Sequence, residues 1–429
     1  MANRWRISLA IAATLIWSNA AAQPAHLVPW AVPFSFSLCS SKKFSTATIA
    51  TAMYIHGLAD YALETVRDEP GLLHIGIAFH AGDRLEIAGR LHGTPQQRLR
   101  LIYQSAHGDV TPGFFLQLAP DCQVNLARLL FRDVEGRPVR LVHLDANLEQ
   151  TETDDLNPPV PAGTDPGGVA VAHVDSGVNY LLPLIAERLA RNDTGHILGH
   201  DFTDDDARPF DLDPSQPAFF PIRHGTTVAS VLIAEAPEAR LIPLRHPGNH
   251  FSIFTDIVKH IAKGPARIVL MPLGGYKRPD WEGFAAEAKR HPELLFILSA
   301  GNNGRNIDEE PVYPASLRFG NAIVVTSSDA FGKIAQGSNW GTESVDIAVP
   351  GERLEVIDHR GAKGRASGSS YAAPRIAALA ARLLALKPEL TAAALKQAIL
   401  DLASPLPRER SPRTRHGWIA NPALEAQDP

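Results

Sequence analysis

Between residues 167 and 328 the chain carries five nearly uninterrupted apolar runs, GGVAVAHVDSG, ARLIPLR, ARIVLMPLGG, LLFILSAGNN and NAIVVTSS, separated by segments of helix length. Such runs suit strands covered on both faces, which predicts an α/β fold with a doubly wound parallel sheet flanked by helices. Nearer the N-terminus the pattern changes. Segments such as RLRLIYQ from Arg98 and VRLVHLD from Val139 alternate apolar and polar residues, as half-buried strands do. TATIATAMYIHGLADYALETV instead spaces Ile49, Ala52, Met53, Ala59, Leu63 and Val66 like a helix, with His56 and Gly57 interrupting its face. Residues 23–145 therefore predict a small mixed or mostly β domain. Acidic, proline-rich ANLEQTETDDLNPPVPAGTDPGG has no apolar period and predicts a linker over residues 146–167. The α/β domain follows over residues 168–425.

The first residues, MANRWRISLAIAATLIWSNAAAQP, set Arg4 and Arg6 before an apolar run from Ile7 to Trp17, then small residues ending at Ala22. That is the layout of a secretory signal over residues 1–22. Its apolar run is shorter than the roughly 20 residues a membrane span needs. No cysteine follows to carry a lipid, and no other stretch is apolar enough to span a bilayer. These features predict export to the periplasm or the medium without stable membrane anchoring. The net charge of -5 gives no electrostatic reason to expect nucleic acid as a partner. Two cysteines, Cys39 and Cys122, fit either one disulfide or two buried thiols.

In open parallel sheets functional groups gather beyond the carboxyl ends of strands. VAVAHVDSG ends in Asp175-Ser176-Gly177, RHGTTVAS places His224 before a helix-like run, and LLFILSAGNNG ends in Asn302 and Asn303. ASGSSYAAP offers Ser367, Ser369 and Ser370 at the start of an Ala/Leu-rich helix pattern. A serine hydroxyl needs an imidazole to take its proton, and the imidazole needs a carboxylate to fix its tautomer. The attacked carbonyl then needs preorganised donors for its growing negative charge.

Taken in chain order, Asp175-Ser176-Gly177, His224-Gly225-Thr226 and Gly368-Ser369-Ser370-Tyr371-Ala372-Ala373-Pro374 resemble the three signatures of the subtilisin-like serine proteases, the subtilases. The resemblance spans about residues 168–425. It implies a secreted endopeptidase acting on proteins or peptides, with Asp175 orienting His224, His224 as general base and then acid, and Ser370 as nucleophile. It also implies Asn302 as an oxyanion donor, and Leu273, Gly274 and Gly275 as a substrate rim. A catalytically inactive binding or scaffold protein on the same fold is the alternative.

Some positions depart from the family pattern. Ser369 stands where threonine is usual, Thr227 replaces a common histidine, and Pro272 stands where the rim often has serine. Val312 precedes Tyr313 where glycine would deepen the pocket, with Asp308, Glu309 and Glu310 nearby, so a shallow apolar pocket and one biased to basic residues both fit. His173 shares a strand face with Asp175 and reads as structural, and HILGHD, with His196, His200 and Asp201, lacks a further ligand cluster. No metal site or obligate cofactor is expected. Weak calcium binding along Asp201–Asp213 and a solvated acidic loop remain open there. The N-terminal domain reads as a pro-domain or folding chaperone acting in cis, or as a retained accessory domain.

Overall fold

The structure is a computed structural model that describes residues 28–425, apart from 42–44, 59, 70–71, 90–98, 109–110 and 410. The expected signal, residues 1–22, lies outside the described residues. Two compact units emerge, residues up to 134 with 142–153, and residues 135–141 with 154–429.

The N-terminal part begins with helices α1 (Ala31–Cys39) and α2 (Thr46–Ile55). Strands β1 (Tyr61–Glu69), β2 (Leu72–Phe79), β3 (Arg84–Gly89), β4 (Leu99–Gln104), β5 (Gly113–Leu118), β6 (Val124–Arg132), β7 (Pro138–Leu144) and β8 (Gln150–Asp155) follow. They form one sheet in strict sequence order, antiparallel from β1 through β6. Alternation decides its inner face: Leu85 and Ile87 of β3 and Leu99, Leu101 and Tyr103 of β4 turn inward, where α1 and α2 add Phe34, Leu38, Ile49 and Met53. Cys39 and Cys122 form a disulfide across this unit.

Two stretches differ from their sequence pattern. The helix beginning at Thr46 ends at Ile55, because the chain reverses at His56 and Gly57, where Gly57 takes φ 68°. Leu63 and Val66 then lie exposed on β1 instead of extending the helical face. Within the segment that reads as a linker, Gln150–Asp155 forms β8, whose side chains are mostly exposed. A strand so polar at the end of a sheet leaves no apolar alternation to read. Farther along that segment, Asp165 pairs with Arg240 at 2.7 Å and accepts the Arg191 N–H, tying it to the second unit.

The second unit holds β9 (Val169–Asp175), β10 (His200–Asp201), β11 (Ala239–Arg245), β12 (Ile268–Met271), β13 (Leu295–Ser299), β14 (Ala322–Ser328) and β15 (Ile347–Pro350). After the hairpin β16 (Leu354–Ile357) and β17 (Lys363–Ala366) comes β18 (Gly417–Trp418). The large sheet runs β10-β11-β9-β12-β13-β14-β15-β18, parallel throughout. Its helices are α3 (Pro183–Ala186), α4 (Gly225–Glu235), α5 (Phe254–Ala262), α6 (Pro279–Arg290), α7 (Ser369–Leu386) and α8 (Ala392–Leu400). Alternate strand residues serve opposite cores: Val171, Leu270 and Ile297 pack under α4, α7 and α8, while Ala172, Val269 and Phe296 pack under α5 and α6. That two-sided burial is why these strands read as continuous apolar runs. β11 and β12 flank β9 on opposite sides, so a crevice opens at the carboxyl ends of β9 and β12.

Candidate active site

Asp175 ends β9 and His224 caps the start of α4 at that crevice. His224 Nδ1 lies 2.8 Å from Asp175 Oδ1 and 3.0 Å from Oδ2. The backbone N–H of Ser176 donates to Asp175 Oδ1 at 2.7 Å. Burial alone would favour a neutral Asp175, but the charge and hydrogen bond of His224, with His173 close by, outweigh it and hold the carboxyl far below the usual range. For His224 burial pushes the pKa down, yet the Asp175 charge and hydrogen bond override this and raise it to about 9. The pair therefore favours an imidazolium over a neutral ring, the state an accepted proton would create.

Ser370 sits in the first turn of α7, and its Oγ donates to the Pro272 carbonyl at 3.3 Å rather than bonding to His224. Catalytic hydrogen bonds are often unformed without substrate. Beside it, Asn302 Oδ1 accepts the Ser369 N–H at 2.9 Å and the Ser369 hydroxyl at 3.0 Å. Ser369 Oγ in turn accepts the Gly301 N–H at 3.1 Å. Asn302 is exposed, and its side-chain oxygen is held by these two donors. Gly368 makes the approach possible: at φ 133°, an added Cβ would come within 3.0 Å of Asn302 Oδ1.

A family model described as the Subtilase family matches residues 167–418. The chain belongs to the subtilase family. A thermophilic serine proteinase of Bacillus sp. (strain AK1) is 28% identical over 230 residues, covering 50% of this chain and 52% of that protein. The match thus spans about half of that relative's length. Thermitase of Thermoactinomyces vulgaris is 26% identical over 230 residues, covering 50% of this chain and 75% of that one. A cold-adapted subtilisin-like serine proteinase of known crystal structure matches with a TM-score of 0.50 at 23% identity, covering 61% of this chain and 91% of that one.

In this subtilase the segment after β12 forms one wall beside Ser370. Gly275 and Tyr313 exchange backbone hydrogen bonds at 2.7 and 2.8 Å, and a Cβ on Gly274 would meet the Tyr313 carbonyl at 2.5 Å. Leu273 is partly buried against the core under α5 and α6. Val312 reaches both walls, 3.7 Å from where a Gly274 Cβ would sit and 3.6 Å from that of Gly301. The nearby carboxylates are engaged: Asp308 accepts the Ser344 N–H at 2.8 Å and the Glu343 N–H at 3.0 Å, Glu309 pairs with Asn306, and Glu310 with Arg305. Thr227 donates its hydroxyl to the His224 carbonyl and lies 3.3 Å from the Tyr371 hydroxyl, linking α4 to α7.

Several acids of the stretch that begins at Asp201 pair within the second unit. Asp201 and Asp204 converge on Arg245 Nη1 at 2.7 and 2.9 Å, and Asp213 holds Ser215. His196 meets Thr194, while His200 lies 3.2 Å from Asp205 and stacks on His260. His173 is fully buried, its Nε2 3.4 Å from Asp175 Oδ2 without hydrogen-bond alignment. One residue of this stretch belongs to the site and escapes sequence reasoning. Asp211 is buried against the backbone of His224, accepting the Ser176 hydroxyl at 2.6 Å, the His224 N–H at 3.2 Å and the Thr226 N–H at 3.0 Å. Only its place as the lone acid inside the apolar string PFDL hints at burial.

Proposed function

We propose that this subtilase is an exported serine endopeptidase, in which Ser370 attacks a peptide carbonyl, His224 takes its proton and Asp175 stabilises the resulting imidazolium. The observation that carries this reading is the Asp175–His224 contact at 2.8 Å, set in the same crevice as the first turn of α7. Rotation of Ser370 Oγ away from Pro272 aims the nucleophile at His224 Nε2. The tetrahedral oxyanion then lies between Asn302 Nδ2 and the Ser370 N–H, where the free N–H groups of the α7 terminus add positive potential. His224 next protonates the leaving amine, and water releases the acyl group by the reverse sequence of proton transfers.

Leu273, Gly274 and Gly275 offer backbone groups to an extended substrate, and Pro272 still offers its carbonyl although it lacks an N–H. With Val312 across the floor and Asp308, Glu309 and Glu310 engaged, the adjoining pocket suits a small or medium apolar side chain. Export agrees with the formed Cys39–Cys122 disulfide, which requires an oxidising compartment. The activity is tested with fluorogenic peptides differing only at the residue before the scissile bond. Wild type should cleave alanine and valine substrates faster than arginine ones, and Ser370→Ala should cleave none. Equal cleavage by Ser370→Ala would refute the nucleophile.

A further inference from the structure

The His224 ring is aimed by its backbone, and that backbone is held by a carboxylate the reaction scheme does not use. Asp211 Oδ1 accepts the Ser176 hydroxyl at 2.6 Å and the His224 N–H at 3.2 Å. Its Oδ2 accepts the Thr226 N–H at 3.0 Å and the Thr226 hydroxyl. Ser176 Oγ, while donating its hydroxyl hydrogen bond to Asp211, accepts the Gly225 N–H at 2.9 Å and the His224 N–H at 3.2 Å. Thr226 Oγ1 likewise accepts the Asn179 N–H at 2.8 Å. One buried carboxylate thereby accepts the Thr226 N–H of α4 directly and holds Ser176, which takes the Gly225 N–H, locking the residue after Asp175 to the residues around His224.

We propose that Asp211 is a positioning residue for the reaction: through Ser176 and Thr226 it fixes the start of α4 and so the angle at which His224 meets both Asp175 and the Ser370 hydroxyl. This rests on the assignment of Asp175, His224 and Ser370 as the catalytic set. A helix cap alone would need one acceptor, and a solvent-exposed one would serve. Here a charge is fully buried, which is costly without a compensating role. The groups facing it are His359, whose Nδ1 lies 3.7 Å from Oδ2, and Arg223, which donates to the Asp211 carbonyl. Asp175, which also accepts the Ser176 hydroxyl, and the His224 ring, whose protonated form Asp211 supports together with Asp175 and Asp213, complete the charged surroundings. Burial works against its charge, and the contacts with His359, Ser176 and Thr226 outweigh that and keep the carboxyl below its ordinary range. The hairpin that carries His359 is anchored to the same region, since Asn179 Nδ2 donates to the His359 carbonyl at 2.6 Å.

The test compares wild type, Asp211→Asn, Thr226→Ser and Thr226→Val, each rated per active site by burst titration with an acylating ester. Asparagine offers one acceptor where Asp211 meets four donors, so Asp211→Asn should lower kcat roughly ten- to a hundredfold with KM nearly unchanged, the loss expected when reacting groups are displaced by an ångström or less. Because the Asp211 charge also supports a protonated His224, the acid limb of the pH profile should move to lower pH. Thr226→Ser, which keeps the hydroxyl, should retain wild-type kcat, whereas Thr226→Val should follow Asp211→Asn. An active wild type whose Asp211→Asn variant keeps its kcat per site and its acid limb, losing only thermal stability, would overturn the positioning role alone. A wild type that gives no burst would overturn the catalytic assignment along with it.

Discussion

The two units bury different chemistry. Among the described residues, the N-terminal unit buries Ser35 and Gln117 as its only polar side chains, inside a core of leucine, isoleucine and aromatic residues, and closes a disulfide across it. The second unit has no cysteine, yet it buries Asp175, Asp201, Asp211, Arg245 and Arg375, among others. An apolar core forgives small errors of position, whereas a buried charge demands a partner at a fixed distance. Buried charge therefore marks where the molecule needs geometry, and in this subtilase much of it lies around the carboxyl ends of β9 and β11.

The largest expected effect is on the side rich in buried charge. Asp175→Asn should cut kcat by about 10⁴-fold, because the imidazole loses both its tautomer control and its counter-charge. The pH profile gives the sign. His224 must be neutral to accept a proton, and its pKa of about 9 lies above the ordinary 6.5, so wild-type kcat/KM should rise with pH through about 9. In Asp175→Asn the burial penalty remains while the main opposing charge is gone, so the acid limb should shift well to lower pH. An acid limb that stays in place would mean that another group titrates.

Removing the covalent link tests the other unit. Cys39 and Cys122 are 83 residues apart, so Cys39→Ser with Cys122→Ser should cost the N-terminal unit about 4–5 kcal/mol by chain entropy. In differential scanning calorimetry the transition of the parallel-sheet unit should not move. A shift of both transitions together would break the contrast between the units. Asn302→Ala should lower kcat about 10²- to 10³-fold if it acts as the oxyanion donor proposed for it, a range that comes from the oxyanion asparagine of subtilisin itself. The smallest effect concerns calcium. Since Arg245 already pairs with both Asp201 and Asp204, excess chelator should leave the melting temperature of the second unit unchanged, and a sharp drop would reveal a cation that the fold requires.

Much of this site was legible along the chain, for a physical reason. Asp175, His224 and Asn302 stand where apolar runs stop or helical patterns begin, and the parallel sheet brings those points to one edge. Asp211 was hidden because a run rich in Asp shows composition but not partners. Its neighbours Asp201 and Asp204 found Arg245, and Asp211 found Ser176, 35 residues away. The orientation of Asn302 by Ser369 likewise depends on two loops meeting across 67 residues. In the N-terminal unit, β1 looked helical because Leu63 and Val66 fit a helical spacing that their exposed positions do not use.

The proposed reaction stands on Ser370 as a nucleophile activated by the Asp175–His224 pair. Intact-mass and peptide mapping after treatment with a fluorophosphonate tests it most directly. One adduct per folded, processed molecule is expected, located on Ser370, absent from Ser370→Ala and formed far more slowly in Asp175→Asn. A wild type that gains no adduct, or gains it on Ser369 or Ser367, would contradict it.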